Sequence, residues 1–126
     1  MFLEIEKQQM NVEEIRDYCM AKKGATESFP FDEDTLVFKV GGKMFLLLSI
    51  SSNPAEFNVK CEPEKAIELR ETYSSILPGF HMSKSHWNSI TCDSSIPRKL
   101  ILEMINDSYT LIVNSLPKKV RKEQNL

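Results

Sequence analysis

The segment PGFHMSKSHWNSIT, residues 78–91, brings His81, Lys84, His86 and the chain's one tryptophan, Trp87, into a stretch that contains no acid. Imidazole, ammonium and indole groups in one place allow three chemistries: metal ligation, assistance to a nucleophile, or attraction of an anion. For a metal, His81 and His86 are five positions apart, where a helix needs three or four, and no nearby carboxylate or thiolate completes a set. For nucleophilic catalysis, Cys61 with His81 is the available dyad, but Cys61 falls on the inward side of an alternating strand, where thiols are inert. The chain has no GxSxG elbow, HExxH pair or glycine-rich phosphate loop. Anion attraction needs only exposed cations without acids between them, and imidazoles add charge in mildly acidic solution. Trp87 has two readings, a core aromatic whose indole N–H finds one partner or a flat surface for stacking.

The cations must be positioned by strands. TLVFKV-GG-KMFLLLSI has two β-rich runs around Gly41-Gly42, the pattern of a tight hairpin whose turn needs positive φ. Pairing outward sets Val40 against Lys43, Phe38 against Phe45 and Leu36 against Leu47. Lys39, Val37, Met44, Leu46 and Leu48 then share the other face. Both faces are largely apolar, so helices are expected over much of each. FNVKC alternates next, with Phe57, Val59 and Cys61 inward and Asn58 and Lys60 outward. ATESFPF is a short edge strand, since Pro30 cannot donate to a central ladder.

Three helices flank these strands. Asn11 caps the first and Glu14 closes a capping box, with Val12, Ile15, Tyr18 and Cys19 on one face and Gly24 as the stop. Pro63 opens a second that runs to about Tyr73. Pro78-Gly79 turns the chain into residues 78–91, which end in a strand from Trp87 to Cys92. Ser94 or Ser95 caps the last helix, with Pro97 in its first turn. Its stripe is Leu100, Ile101, Met104, Ile105, Tyr109, Ile112 and Leu116. The predicted class is α+β with a mostly antiparallel sheet, in the order α-β-β-β-β-α-β-α. Residues 1–10 form a lead-in, 11–119 one domain and 120–126 a frayed basic tail.

At 126 residues, with 41% hydrophobic and 27% charged side chains, the chain is a single soluble globule. No run approaches the roughly 18 apolar residues of a membrane span. The N-terminus mixes acids and bases into its apolar residues, unlike a signal peptide. Three dispersed cysteines, Cys19, Cys61 and Cys92, favour reduced thiols and a cytoplasmic setting. The net charge of −2 is unusual for a nucleic-acid binder, but no Asp or Glu occurs in 35–55 or 72–92, and both gaps carry lysines. Acid-free stretches are also what strands look like.

KVGGKMFLLLS, NVKCEPEKAIELRETYSSILPGFHMSKSHWNSI and MINDSYTLIVNSLPKK together resemble the MmcQ/YjbR family of small bacterial proteins. ESFPFDEDTLVFKV fits its N-terminal part, and the resemblance runs from about Asn11 to Lys119. It implies an α+β fold with secretion-chaperone-like topology, and DNA binding through a double-wing arrangement of hairpins. The family's polar signature falls on Lys39, Gly41, Gly42, Lys43, Lys60, His81, Met82, Lys84, His86 and Trp87. Ser85 replaces an arginine common in the family, Ser83 an asparagine, and Asp32-Glu33-Asp34 a more glycine-like stretch. Without that arginine a bidentate phosphate or guanine contact is gone.

The expectation is therefore a non-enzymatic domain that touches DNA phosphates weakly and without sequence preference, using Lys39, Lys43, Lys60, His81, Lys84, His86 and Trp87. It expects no metal, no cofactor and no membrane association. Two other readings remain open: a chaperone-like or dimeric protein-interaction module using the sheet face and Trp87, and an anionic small-molecule pocket lined by His81, His86 and Lys60.

Overall fold

A computed structural model describes residues 9–79 and 82–126. Its elements are α1 (Val12–Met20), β1 (Thr26–Ser28), β2 (Thr35–Val40), β3 (Lys43–Ser49), β4 (Glu56–Lys60), α2 (Pro63–Thr72), β5 (Ile76–Pro78), β6 (Trp87–Thr91), α3 (Arg98–Ser115) and α4 (Lys118–Glu123). The strands form one antiparallel sheet in the order β1-β2-β3-β4-β6-β5. The α+β class stands, with β5 and α4 added to the expected order.

Local chemistry sets several boundaries. The Asn11 side chain accepts from the Glu14 amide at 2.8 Å, and the Glu14 carboxylate accepts from the Asn11 amide, completing the capping box. Pro63 opens α2, where a missing N–H costs nothing. Helix α3 starts differently from expectation. Ser95 is drawn into the loop by the Asp93 carboxylate, leaving Pro97 at the N-cap with no capping side chain. A missing cap costs about 1 kcal/mol. Burying Ile101, Met104, Ile105 and Ile112, at about 1.5–3 kcal/mol each, outweighs it. The C-terminal residues are not a frayed tail: they form α4, and Leu126 beyond it packs against the main core, its amide donating to the Arg121 carbonyl.

The hairpin register departs from the expected one. Val40 faces Lys43 and Lys39 faces Met44, but Phe38 then pairs with Leu46, Val37 with Leu47 and Leu36 with Leu48. Phe45 is the extra residue of a β-bulge. Its ring packs edge-on to Tyr109 of α3 at 5.4 Å between centroids, and lies 6.3 Å from Phe38. The bulge breaks the ladder toward β4, and Ser108 of α3, fully buried, repairs the break. Its Oγ donates to the Phe45 carbonyl at 2.5 Å and accepts from the Lys60 amide at 2.9 Å.

The one-residue slip decides which leucines face where. Leu36, Phe38, Phe45, Leu46 and Leu48 join Phe57, Val59, Ile90 and the buried faces of α1, α2 and α3 in the main core. Val37 and Leu47 point the other way, into a small cluster with Trp87 that Met44 and Met82 flank. Among the described residues no helical residue belongs to that second cluster, so the described helices cover one face rather than both. At the hairpin tip, Gly41 has φ +59 and any Cβ there would lie 2.5 Å from Leu116 Cδ1; the helix side presses directly on the turn.

Replacing Ser108 by alanine leaves a buried N–H and a buried C=O without partners. A loss of about 2 kcal/mol or more is expected. Ser115→Ala, which removes only a hydroxyl bonded to the Ile112 carbonyl of its own helix, should stay within about 0.5 kcal/mol. Urea denaturation of both variants checks this.

Candidate functional site

The face opposite the described helices carries Lys39, Lys60 and Trp87 of the groups singled out above. Alternation along β2, β3 and β4 puts Lys39, Met44, Asn58 and Lys60 on it, and the cross-strand partner of Lys60 is Trp87. Lys39 and Lys60 therefore share one end of this face, on either side of Met44, with Trp87 on the next strand beyond Lys60. Lys43 is exposed but is the partner of Val40, whose side chain is in the main core; it projects from the hairpin tip toward the helix side. Lys84 and His86 are exposed in the loop that leads into β6. His81 lies outside the described residues.

Trp87 is only 8% exposed. Its ring fills the gap between Val37, Leu47, Met44 and Met82, so it offers no open face for a base to stack on. This corrects its assignment to a contact surface: the ring supports the patch from beneath. The reason is tertiary, since the bulge turns Leu47 onto the face that Met44 and Val37 already share.

The loop is held by backbone and by one arginine. Gly79 does not turn the chain as expected. Its amide donates to the Trp87 carbonyl at 2.7 Å and extends the β5–β6 pairing, so close that a Cβ would fall 2.7 Å from that of Trp87. The turn comes later, where the Ser83 carbonyl accepts from the amides of His86 and Trp87. Arg70, in the last turn of α2, donates from Nε to Asn88 Oδ1 at 2.7 Å and from Nη2 to the Lys84 carbonyl. Asn88 is 1% exposed, so the guanidinium is the partner its carbonyl oxygen needs. The sequence reading overlooked this role. An arginine projecting with Ala66, Leu69 and Tyr73 on the inward side of an amphipathic helix was the available signal.

Beyond the cation end, the same face hollows into a cavity of about 610 Å³. Leu47, Leu77, Met82 and Phe31 supply much of its apolar lining, with Asp32 and Glu56 among the polar groups. Neither Lys60 nor His86 lines it, so the pocket anticipated for an anionic molecule does not form around them there. Asp32 accepts from the amides of Asp34 and Thr35, bonds that hold its carboxyl below the usual range.

The nucleophile candidates are all in the core. Cys19, Cys61 and Cys92 are buried and unpaired by disulfides. Burial pushes the thiols of Cys19 and Cys92 up to about 12, and raises that of Cys61. Among the described residues no group of three or more His, Cys, Asp or Glu side chains is arranged to hold a metal.

Two outcomes follow from these contacts. Arg70→Ala removes a charged hydrogen bond to a buried amide and the anchor of the loop. It should cost about 1.5–3 kcal/mol and speed amide exchange in residues 83–87. Because the raised thiols carry almost no thiolate near neutrality, a disulfide reagent at about pH 8 should leave all three cysteines unmodified in the native protein and titrate all three in denaturant.

The comparisons with known proteins agree with this architecture. A profile of the YjbR family matches residues 20–111. YjbR of Escherichia coli is 34% identical over 113 residues, covering 90% of this chain and 96% of its own length. YbdF of Escherichia coli is 39% identical over 94 residues, covering 75% of this chain and 77% of that protein. The crystal structure of a Deinococcus radiodurans protein with the DUF419 domain superposes with a TM-score of 0.88 at 38% identity, over 94% of this chain and 90% of that one. A Pseudomonas syringae protein gives 0.71 at 26% identity, over 82% and 99%. With the profile spanning most of the domain and the six-stranded sheet shared, the chain belongs to the YjbR family.

Proposed function

We propose that the protein is a non-enzymatic, cytoplasmic binding domain that contacts nucleic-acid phosphates weakly. The β2–β3 hairpin serves as one wing, and the β5–β6 hairpin with its intervening loop as the other. The observation that carries this reading is the state of the lysines. Lys39 and Lys60 share one end of the face opposite the described helices, Lys84 is exposed on the loop that leads into β6, and Lys43 is exposed at the hairpin tip. Among the described residues, none of the four is engaged in an ion pair. Unpaired ammonium groups on a solvated surface attract phosphates at a distance of about a Debye length, even on a chain of slightly negative total charge.

Lysine gives position without sequence, since it binds phosphate as a point charge. Among the described residues no helix with an Arg or Asn array projects from this face, so base readout is not part of the reading. The buried thiols support the absence of cysteine chemistry.

The test is fluorescence anisotropy with a labelled DNA duplex at low and moderate salt. Binding should weaken steeply as salt rises, and Lys39→Ala combined with Lys84→Ala should reduce the salt slope by about two, roughly one per lysine. Absence of binding at low salt, or binding untouched by the double substitution, contradicts the proposal.

A further inference from the structure

The hollow beside the cation end has chemistry of its own. Its volume, about 610 Å³, falls within the range of roughly 300–1,000 Å³ typical of small-molecule sites. Leu47 and Leu77 belong to one cross-strand row, in which Val37, Leu47, Asn58, Ser89 and Leu77 succeed one another. Phe31 and Met82 come from loops at the two sides. Phe31 is 64% exposed and Leu77 59%, a high exposure for side chains that gain from burial.

Among the described residues, the charged groups of the hollow have one sign: Asp32 and Glu56 both line it, and no described lysine or arginine does. Among the described residues neither carboxylate is in an ion pair. The Asp32 oxygens already accept from the amides of Asp34 and Thr35 and from the Thr35 hydroxyl. A carboxylate has about four acceptor positions, so this leaves room for a further donor. Among the described residues, the Glu56 carboxylate accepts one long contact, 3.5 Å from Ser52 Oγ. It stands in the row between Ser49 and Thr91, at the end of the face away from Lys60 and Trp87. An apolar hollow closed at one end by two uncompensated carboxylates repels anions and attracts cations.

We infer that this cavity binds a small molecule with an apolar body and one cationic group, an aryl- or alkylamine. The apolar body covers Leu47, Leu77, Phe31 and Met82, and the ammonium meets Glu56 and Asp32. Binding is non-covalent and uses none of Lys39, Lys60 or Lys84. Its success or failure is thus independent of phosphate binding at the other end of the face.

A matched pair of probes separates charge from size: tryptamine, which carries an ammonium, and indole-3-acetate, which carries a carboxylate on nearly the same body. Both are titrated into the isotope-labelled protein while amide chemical shifts are followed. Tryptamine should saturably shift the amides of Leu47, Asn58, Ser89 and Thr91. Glu56→Gln, an exposed change that leaves the backbone ladder intact, should weaken it by about two- to fivefold. Indole-3-acetate should not shift these amides over the same range. Equal binding of the two probes, shifts confined to other surfaces, no shift with either, or tryptamine binding indifferent to Glu56→Gln would each overturn the assignment. So would shifts at these amides that appear on raising the protein concentration alone, since a second copy of the chain would then be the occupant.

Discussion

The hydroxyl of Ser108 occupies the gap that a β-bulge opens between β3 and β4, donating to Phe45 and accepting from Lys60. Few single contacts decide so much. Without an acceptor and a donor at that point, the extra residue would leave two buried backbone groups unsatisfied, at about 1–3 kcal/mol each. The unbulged register would then be the cheaper solution. The bulge puts Phe45 and Leu46, neighbours in sequence, into the same core, and so reverses the alternation for the rest of β3. Leu46 and Leu48 go under the helices, while Leu47 goes to the opposite face.

That reversal builds the face opposite the helices. With Leu47 and Val37 on the side without helices, Trp87 has something to pack on, and Met44 and Met82 close around it. Trp87 in turn fixes the start of β6, and Arg70 ties the preceding loop to α2 through Asn88 and the Lys84 carbonyl. The result is a surface with two ends. Lysines flank the tryptophan cluster at one, and an apolar hollow with Asp32 and Glu56 occupies the other. A small negative net charge is compatible with both because the opposite signs are segregated rather than mixed.

The parts of this structure written in short stretches of sequence could be read from it. Asn11 and Glu14 are three residues apart and satisfy each other. Gly41-Gly42 supplies the positive φ that a two-residue turn needs. Pro63 and the stripe of the last helix mark their elements in the same local way. What escaped the reading depends on partners far away in the chain. The bulge needs Ser108, 63 residues beyond Phe45. The burial of Trp87 needs Leu47, which only the bulged register puts beside Val37 and Met44. The strand Ile76–Pro78 is too short to show a period and exists through its pairing with β6. The C-terminal residues looked like a charged tail because their anchor is one leucine at position 126. Family resemblance located Lys39, Lys60, Lys84 and His86, but it could not tell the exposed groups from the buried indole between them.

The central claim is one of register, and solution NMR reads register directly. Cross-strand contacts between backbone protons should join Val37 to Leu47 and Leu36 to Leu48, with Phe45 unpaired and the Lys60 amide strongly protected from exchange. Contacts joining Val37 to Leu46 and Phe38 to Phe45 would mean a regular hairpin. Leu47 would then belong to the core beneath the helices, and the two-ended face described here would not exist.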